Sequence, residues 1–178
     1  MRRSVTFLQQ AGEEVPALQG ILRSMIEPPR IVTLSARPIA VIPLLIPREQ
    51  MPQVFGSAVG ELVSTVQAQK LGPTGPVFAH HLRMVPGRWD FELGVPVSAP
   101  VKASGRVTPG TWRAMRAART VHHGGYEGLP GAWPELERWI EARRLAEAED
   151  FWEVYTVAPD SVSDPAEYRT ELIRPLRE

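Results

Sequence analysis

The sequence predicts an α+β fold: two β-α-β-β units arranged about a pseudo-twofold axis, with a ligand groove between them. Two observations carry this expectation. The order strand, helix, hairpin occurs twice along the chain. A constant offset of 74 also relates the copies, taking Glu61-Leu62 onto Glu135-Leu136, Ala68 onto Ala142 and Leu71 onto Leu145. The same offset carries "VFAHH" (77–81) onto "FWEVY" (151–155). Self-similarity at a fixed spacing is the mark of a repeated unit, and a junction between two such units is a common place for a ligand.

The elements follow in order. Residues 16–25 carry Leu18, Ile21, Leu22 and Met25 on one helical face before "EPPR" breaks the pattern. "IVTLSARPIAVIPLLI" is rich in β-branched residues and reads as one long strand with a proline irregularity. A helix is predicted over 50–71, from Val54, Phe55, Ala58, Leu62 and Val66 at helical spacing and the Gly72-Pro73 stop. "PVFAHHLRMV" and "RWDFELGVPV" flank a Pro86-Gly87 turn and read as a hairpin. In the second half "TWRAMRAARTVHHG" reads as a strand. A helix is predicted over 131–145, with proline near its start. "DFWEVYTVAPD" and "RTELIRPL" close the pattern as strands. Residues 1–29 are read as an N-terminal extension and 30–178 as one domain, with halves at about 30–101 and 102–178.

Composition narrows the function classes. With 178 residues the chain is long enough for one domain with a useful core. Its formal net charge is zero, which gives no global pull toward nucleic acid or an anionic membrane. There is no cysteine, so disulfides, thiol nucleophiles and cysteine-ligated zinc are excluded. The longest apolar run, "IAVIPLLIP", is too short for a bilayer, and the basic start is followed by no apolar stretch of signal-peptide type. A cytoplasmic protein without membrane partners is expected. No phosphate loop, dinucleotide fingerprint or nucleophile elbow is present.

Four motifs together carry a resemblance. They are His122 or His123 with Gly125-Tyr126-Glu127, Trp152-Glu153-Val154-Tyr155, Pro159-Asp160, and Thr170-Glu171 with Pro175-Leu176. In this order they resemble the GyrI-like small-molecule-binding family, which also forms the effector-binding half of multidrug-sensing regulators of the MerR and AraC types. The resemblance covers roughly 31–177 and implies SH2-like halves with a pocket for hydrophobic, often cationic or planar compounds. It implies a buried glutamate as the main electrostatic determinant, at Glu153. The 29 leading residues are too few for a helix-turn-helix, so direct nucleic-acid binding is not expected.

The residues can be weighed beside this. Glu153 is either a solvent-facing strand carboxylate or an inward acid whose pKa desolvation would raise. Period-two alternation puts Tyr155 on its face. Glu153 and Tyr155 are therefore the candidate catalytic pair. The candidate ligand-binding set is these two with Tyr126, Trp112, Trp89, Phe91, Trp152, Phe78 and His80, aromatic faces being suited to flat or cationic ligands. Trp133 and Trp139 are read as packing the helix onto the sheet. Neighbouring histidines point to opposite faces of a strand, so neither His80-His81 nor His122-His123 can clamp an ion alone; no metal and no cofactor is expected. Three functions remain open: binding or sequestration of a hydrophobic compound, hydrolysis, and a gyrase-inhibitor type of protein interaction. The hydrolysis is the opening of a strained cyclopropane by water, which the resemblance suggests.

Overall fold

A computed structural model describes residues 24–177, so the helix expected around 16–25 lies almost wholly outside the described residues. Eight strands and two helices follow one another as β1 (Arg30–Leu34), β2 (Arg37–Pro47), α1 (Met51–Ala68), β3 (Phe78–Val85), β4 (Arg88–Pro96), β5 (Thr108–Trp112), β6 (Met115–His123), α2 (Leu129–Ala142), β7 (Phe151–Val157) and β8 (Arg169–Pro175). Both helices begin with a proline in the first turn, where its missing N–H costs nothing. No helix among the described residues is long and apolar enough to cross a membrane.

The strands form one antiparallel sheet in the order β1-β6-β8-β7-β3-β4-β2-β5. The expected pair of sheets is therefore a single sheet, continuous through the β3–β7 pairing. Two segments read as single strands are each split. "IVTLSARPIAVIPLLI" divides at Ser35-Ala36 into β1 and β2, and "TWRAMRAARTVHHG" divides at Arg113-Ala114 into β5 and β6. The physical reason is that each break carries the chain across the molecule. Strand β1 pairs with β6 of the other half, and β5 pairs with β2.

These crossings fix the shape. In a flat sheet β1 and β2 would stand roughly 30 Å apart, at about 4.8 Å per strand. The link from Leu34 to Arg37 can span only about 11 Å. The sheet must curl, and its side chains show that it does: the ring of Trp112 on edge strand β5 lies 3.9 Å from that of Trp152 on central strand β7. Strand order is unchanged when the elements of one half are exchanged for those of the other, β1 with β5 through β4 with β8.

Three cores result. On the convex face α1 packs Ala58, Leu62 and Val66 on Ala40, Ile42, Phe91 and Leu93. On the same face α2 packs Ala132, Leu136 and Ile140 on Ala118 and Leu172. Ile26 joins this second cluster, so the segment before β1 is part of the fold. Inside the curl lies an aromatic core of Phe78, Trp112 and Trp152 with Ile39, Val41, Val154 and Ile173.

Gly94 shows how closely the curl is packed. A Cβ there would lie 2.4 Å from the Phe78 ring and 2.9 Å from the Ala40 carbonyl. Gly94→Ala should lower the unfolding free energy by about 1–3 kcal/mol through overpacking. Urea denaturation with an unchanged m-value would measure it.

Candidate ligand-binding site

The seam between halves is short. Strands β3 and β7 pair through Phe78–Val154, Ala79–Glu153, His80–Trp152 and His81–Phe151. Ala79 thus stands opposite the residue 74 positions on, with α1 to one side and α2 to the other. Ala79 is small and buried, which leaves room above it for the longer side chains of the seam.

Glu153 occupies that room. It is 9% exposed. Trp133 of α2 donates Nε1–H to its Oε1 at 2.8 Å, and the Tyr155 hydroxyl donates to Oε2 at 3.1 Å. His81 Nε2 stands 3.7 Å from Oε2, close enough for electrostatics and too far for a hydrogen bond; this nitrogen has no other partner among the described residues. Burial pushes the Glu153 pKa up and is the largest single influence, but His81, Trp133 and Tyr155 together hold it below the usual carboxylate value. The raised pKa expected from desolvation is thus corrected: donors outweigh burial, and the group is a carboxylate. Burial and the neighbouring charge push the Tyr155 phenol well above its usual value, so it remains a donor.

Aromatic rings surround the acid. Phe55 of α1 and Tyr126 meet the Tyr155 ring edge-on at 5.7 and 5.5 Å. His81 stacks on Phe151 at 4.5 Å and lies 5.3 Å from Trp89 and 5.5 Å from Phe91. Arg174, itself 7% exposed, lies 5.2 Å from the Trp133 ring and 4.9 Å from that of Phe151. This aromatic wall already holds a cation of the chain's own.

Of the residues expected in one pocket, Glu153, Tyr155, Tyr126, Trp89 and Phe91 share the convex face. Trp112, Trp152, Phe78 and His80 do not; they lie inside the curl. Strand alternation is the reason: Trp152 is next to Glu153, and Phe78 and His80 flank Ala79. His81, and not His80, is the histidine of its pair beside Glu153. On the other pair, His122 is buried against the carbonyls of Met25 and Gly125, and His123 is exposed beside Glu27. The sequence alone points Trp133 to helix packing, whereas the structure also makes it a donor to Glu153. Its indole N–H was the signal, since a buried tryptophan donor seeks an acceptor. The sequence left open which histidine of the pair faces the site, and Phe55, Phe151 and Arg174 carried no signal for it.

Glu153 lines neither of the two described cavities. One, of about 390 Å³, lies against α2 around Pro134, Glu137 and Leu145. The other, of about 440 Å³, opens into the curl. Trp133, hydrogen-bonded to Oε1, is one of the side chains that enclose the acid. No group of three or more His, Asp or Glu residues with metal-binding geometry occurs among the described residues.

His80 has a different role. It stacks on Trp152 at 3.7 Å, contacts Asp150 at 2.8 Å and Glu92 at 3.3 Å, and Asp150 is held bidentately by Arg113.

A curled antiparallel sheet with two helices on its outer face, and a buried acid enclosed by aromatics between them, defines a small-molecule-binding α+β domain. The chain belongs to the GyrI-like family: the model described as "GyrI-like small molecule binding domain" matches residues 27–177. Solved structures agree on the fold. The EcmrR C-terminal domain is 18% identical, with a TM-score of 0.74, covering 86% of this chain and 99% of that one. In the EcmrR–DNA complex the match covers 86% of this chain and 58% of the EcmrR chain, with 18% identity and a TM-score of 0.72. SAV2435 bound to tetraphenylphosphonium is 12% identical with a TM-score of 0.57, covering 85% of this chain and 94% of that one. A hydrolase encoded by lin2189 from Listeria innocua is 12% identical with a TM-score of 0.60, covering 84% and 91%. A comparison with curated proteins gives no significant match.

The His80 network yields a pH prediction. Burial pushes Asp150 up, but hydrogen bonds from His80 and Arg113 hold it well below the usual carboxylate range. Its stabilisation is fully present above the unfolded value of ~3.9 and is lost progressively below it, as pH falls toward and through the depressed folded value. Burial pushes His80 down, and Asp150 and Glu92 more than reverse this. That contribution is present below about 6.5 and is lost as pH rises. Asp150→Asn should flatten the fall in urea midpoint as pH drops below about 4. An unchanged slope would contradict the assignment.

Proposed function

We propose that Glu153 is the anionic determinant of a site for hydrophobic, cationic or planar compounds, formed between α1 and α2 over the β3–β7 seam. The observation that carries this reading is an acid kept ionised within aromatic walls. A desolvated carboxylate attracts a lipophilic cation more strongly than water-exposed acids can, and the rings of Tyr155, Tyr126, Trp89 and Trp133 add cation–π and stacking contacts. Arg174 against Trp133 and Phe151 is the internal precedent. Tetraphenylphosphonium, the compound carried by the SAV2435 structure, is the natural probe. Entry requires the Trp133 side chain to leave Glu153. The symmetric strand order and the Ala79–Glu153 pairing support reading the two halves as copies of one SH2-like unit, which places this site on their pseudo-twofold axis.

Tetraphenylphosphonium should quench tryptophan fluorescence with micromolar affinity, on the order of −7 to −8 kcal/mol. Glu153→Gln should weaken it at least tenfold while sparing a neutral tetraphenyl analogue. Equal affinity of both variants for the cation would remove Glu153 from this role.

A second reading rests on one contact, the Tyr155 hydroxyl at 3.1 Å from Glu153 Oε2, and on the hydrolase among the similar folds. Glu153 would take a proton from water as its oxygen bonds to a carbon of a strained cyclopropane. The breaking C–C bond would leave its electron pair on the substrate, to be protonated, with Tyr155 orienting the water. The lowered pKa makes Glu153 a weak base and places this reading second. Incubation with a cyclopropane-bearing DNA alkylator should give a product heavier by one water. Product formation should be lost in both Glu153→Gln and Tyr155→Phe; turnover surviving both substitutions rules the mechanism out.

A further inference from the structure

The curl has two mouths, and they differ. The two links that carry the chain across the molecule lie side by side, and Arg113 of one reaches the first mouth while Ser35 and Ala36 of the other line the second. The first mouth is filled. His80 lies flat on Trp152, Asp150 caps His80, and Arg113 closes on Asp150 through two hydrogen bonds of 2.7 and 3.1 Å. An imidazole ring and a carboxylate, both supplied by the chain, satisfy an arginine at the strand junction.

The second mouth lacks both. The offset that relates β3 to β7 puts Val154 in the place of His80 and Pro76 in the place of Asp150. A ring has become an isopropyl group, and an acid has become a residue with no charge. At this mouth lies the cavity of about 440 Å³, with Pro76, Val154, Trp112, Arg37, Arg119 and Glu171 among its walls. That volume is within the range of small-molecule sites, about 300–1,000 Å³. Ser35 stands in the place of Arg113, because β1 and β2 match β5 and β6 at an offset of 78, but a different arginine lines this mouth. Arg37 lies over the Trp112 ring, 4.6 Å from its centroid, and has no carboxylate partner among the described residues. Arg119 and Glu171 pair with each other, so the mouth carries one uncompensated positive charge. Its floor is apolar, made of Val154, Ile173 and the Trp112 ring.

We propose that this mouth is a second binding site, which takes a small planar carboxylate. The ring of the ligand occupies the place that His80 fills at the other mouth. Its carboxylate meets Arg37 as Asp150 meets Arg113. The site is separate from that of Glu153, because Glu153 and Val154 are neighbours on one strand and face opposite sides of the sheet. The two sites are also opposite in charge preference: the outer one presents an acid, the inner one a guanidinium.

The test is calorimetric titration with 2-naphthoate at low ionic strength, with 2-naphthamide as the neutral isostere. Saturable binding of the carboxylate is expected, with the amide at least about tenfold weaker, as befits a charge-assisted contact. Arg37→Gln should lower 2-naphthoate affinity by a similar factor, and Pro76→Asp should do the same by placing an internal carboxylate at the mouth. Both residues border solvent, and a thermal melt checks that the variants fold. Glu153→Gln should leave 2-naphthoate binding unchanged, which separates this site from the outer one whatever the fate of that reading. Equal affinity of acid and amide would overturn the proposal. So would wild-type affinity in Arg37→Gln and Pro76→Asp, loss of binding in Glu153→Gln, or no saturable binding up to the solubility limit of 2-naphthoate.

Discussion

Four residue pairs between β3 and β7 join the two halves of the chain at the centre of the sheet. They set Ala79 against Glu153, and the candidate site follows from that register. A small residue opposite the acid leaves space over the seam. His81, two positions along β3, comes beside the acid, and Tyr155, two positions along β7, comes under it. The helices contribute from their flanks, Phe55 from α1 and Trp133 from α2. A slip of one residue would turn Glu153 into the curl and bring Trp152 out, since side chains change face with every step. The aromatic core inside the curl and the acid outside it are thus two consequences of one register.

The electrostatics of the two faces divide on the same principle. Outside, a carboxylate is kept ionised by two hydrogen-bond donors and the nearby His81, although burial opposes the charge. Inside, an acid is kept ionised by an arginine and a histidine. In both places the buried charge has partners, as burial requires. The difference lies in what remains for a ligand. Around Glu153 the two hydrogen-bond donors, Trp133 and Tyr155, are neutral. Around Asp150 the donors include the charged Arg113 guanidinium.

The fold was legible where pattern and turn chemistry agreed. The Pro86-Gly87 hairpin and both helices fall within a few residues of their expected bounds. The crossings at Ser35-Ala36 and Arg113-Ala114 were not legible, because neither carries glycine and the residues flanking each read as one continuous strand. What breaks those strands is pairing with the other half, a tertiary effect. In the site, alternation put Tyr155 with Glu153. The same rule turns Trp152 to the opposite face, inside the curl. Choosing His81 over His80 required the β3–β7 register, which no local pattern contains. The donor role of Trp133 was half visible in its indole.

The two crossings make the fold an internal domain swap. Each half lends its leading strand to the sheet edge of the other. Neither half, cut out alone, could complete its sheet: it would lose the strand it receives and be left with a bare edge, a template for aggregation. Formation of the sheet must wait for pairings between residues far apart along the chain, the kind of contact that slows folding. Architecture of this kind couples both mouths of the curl and the outer seam into one cooperative unit. A gene fusion or truncation that separates the halves removes the whole protein rather than half of it.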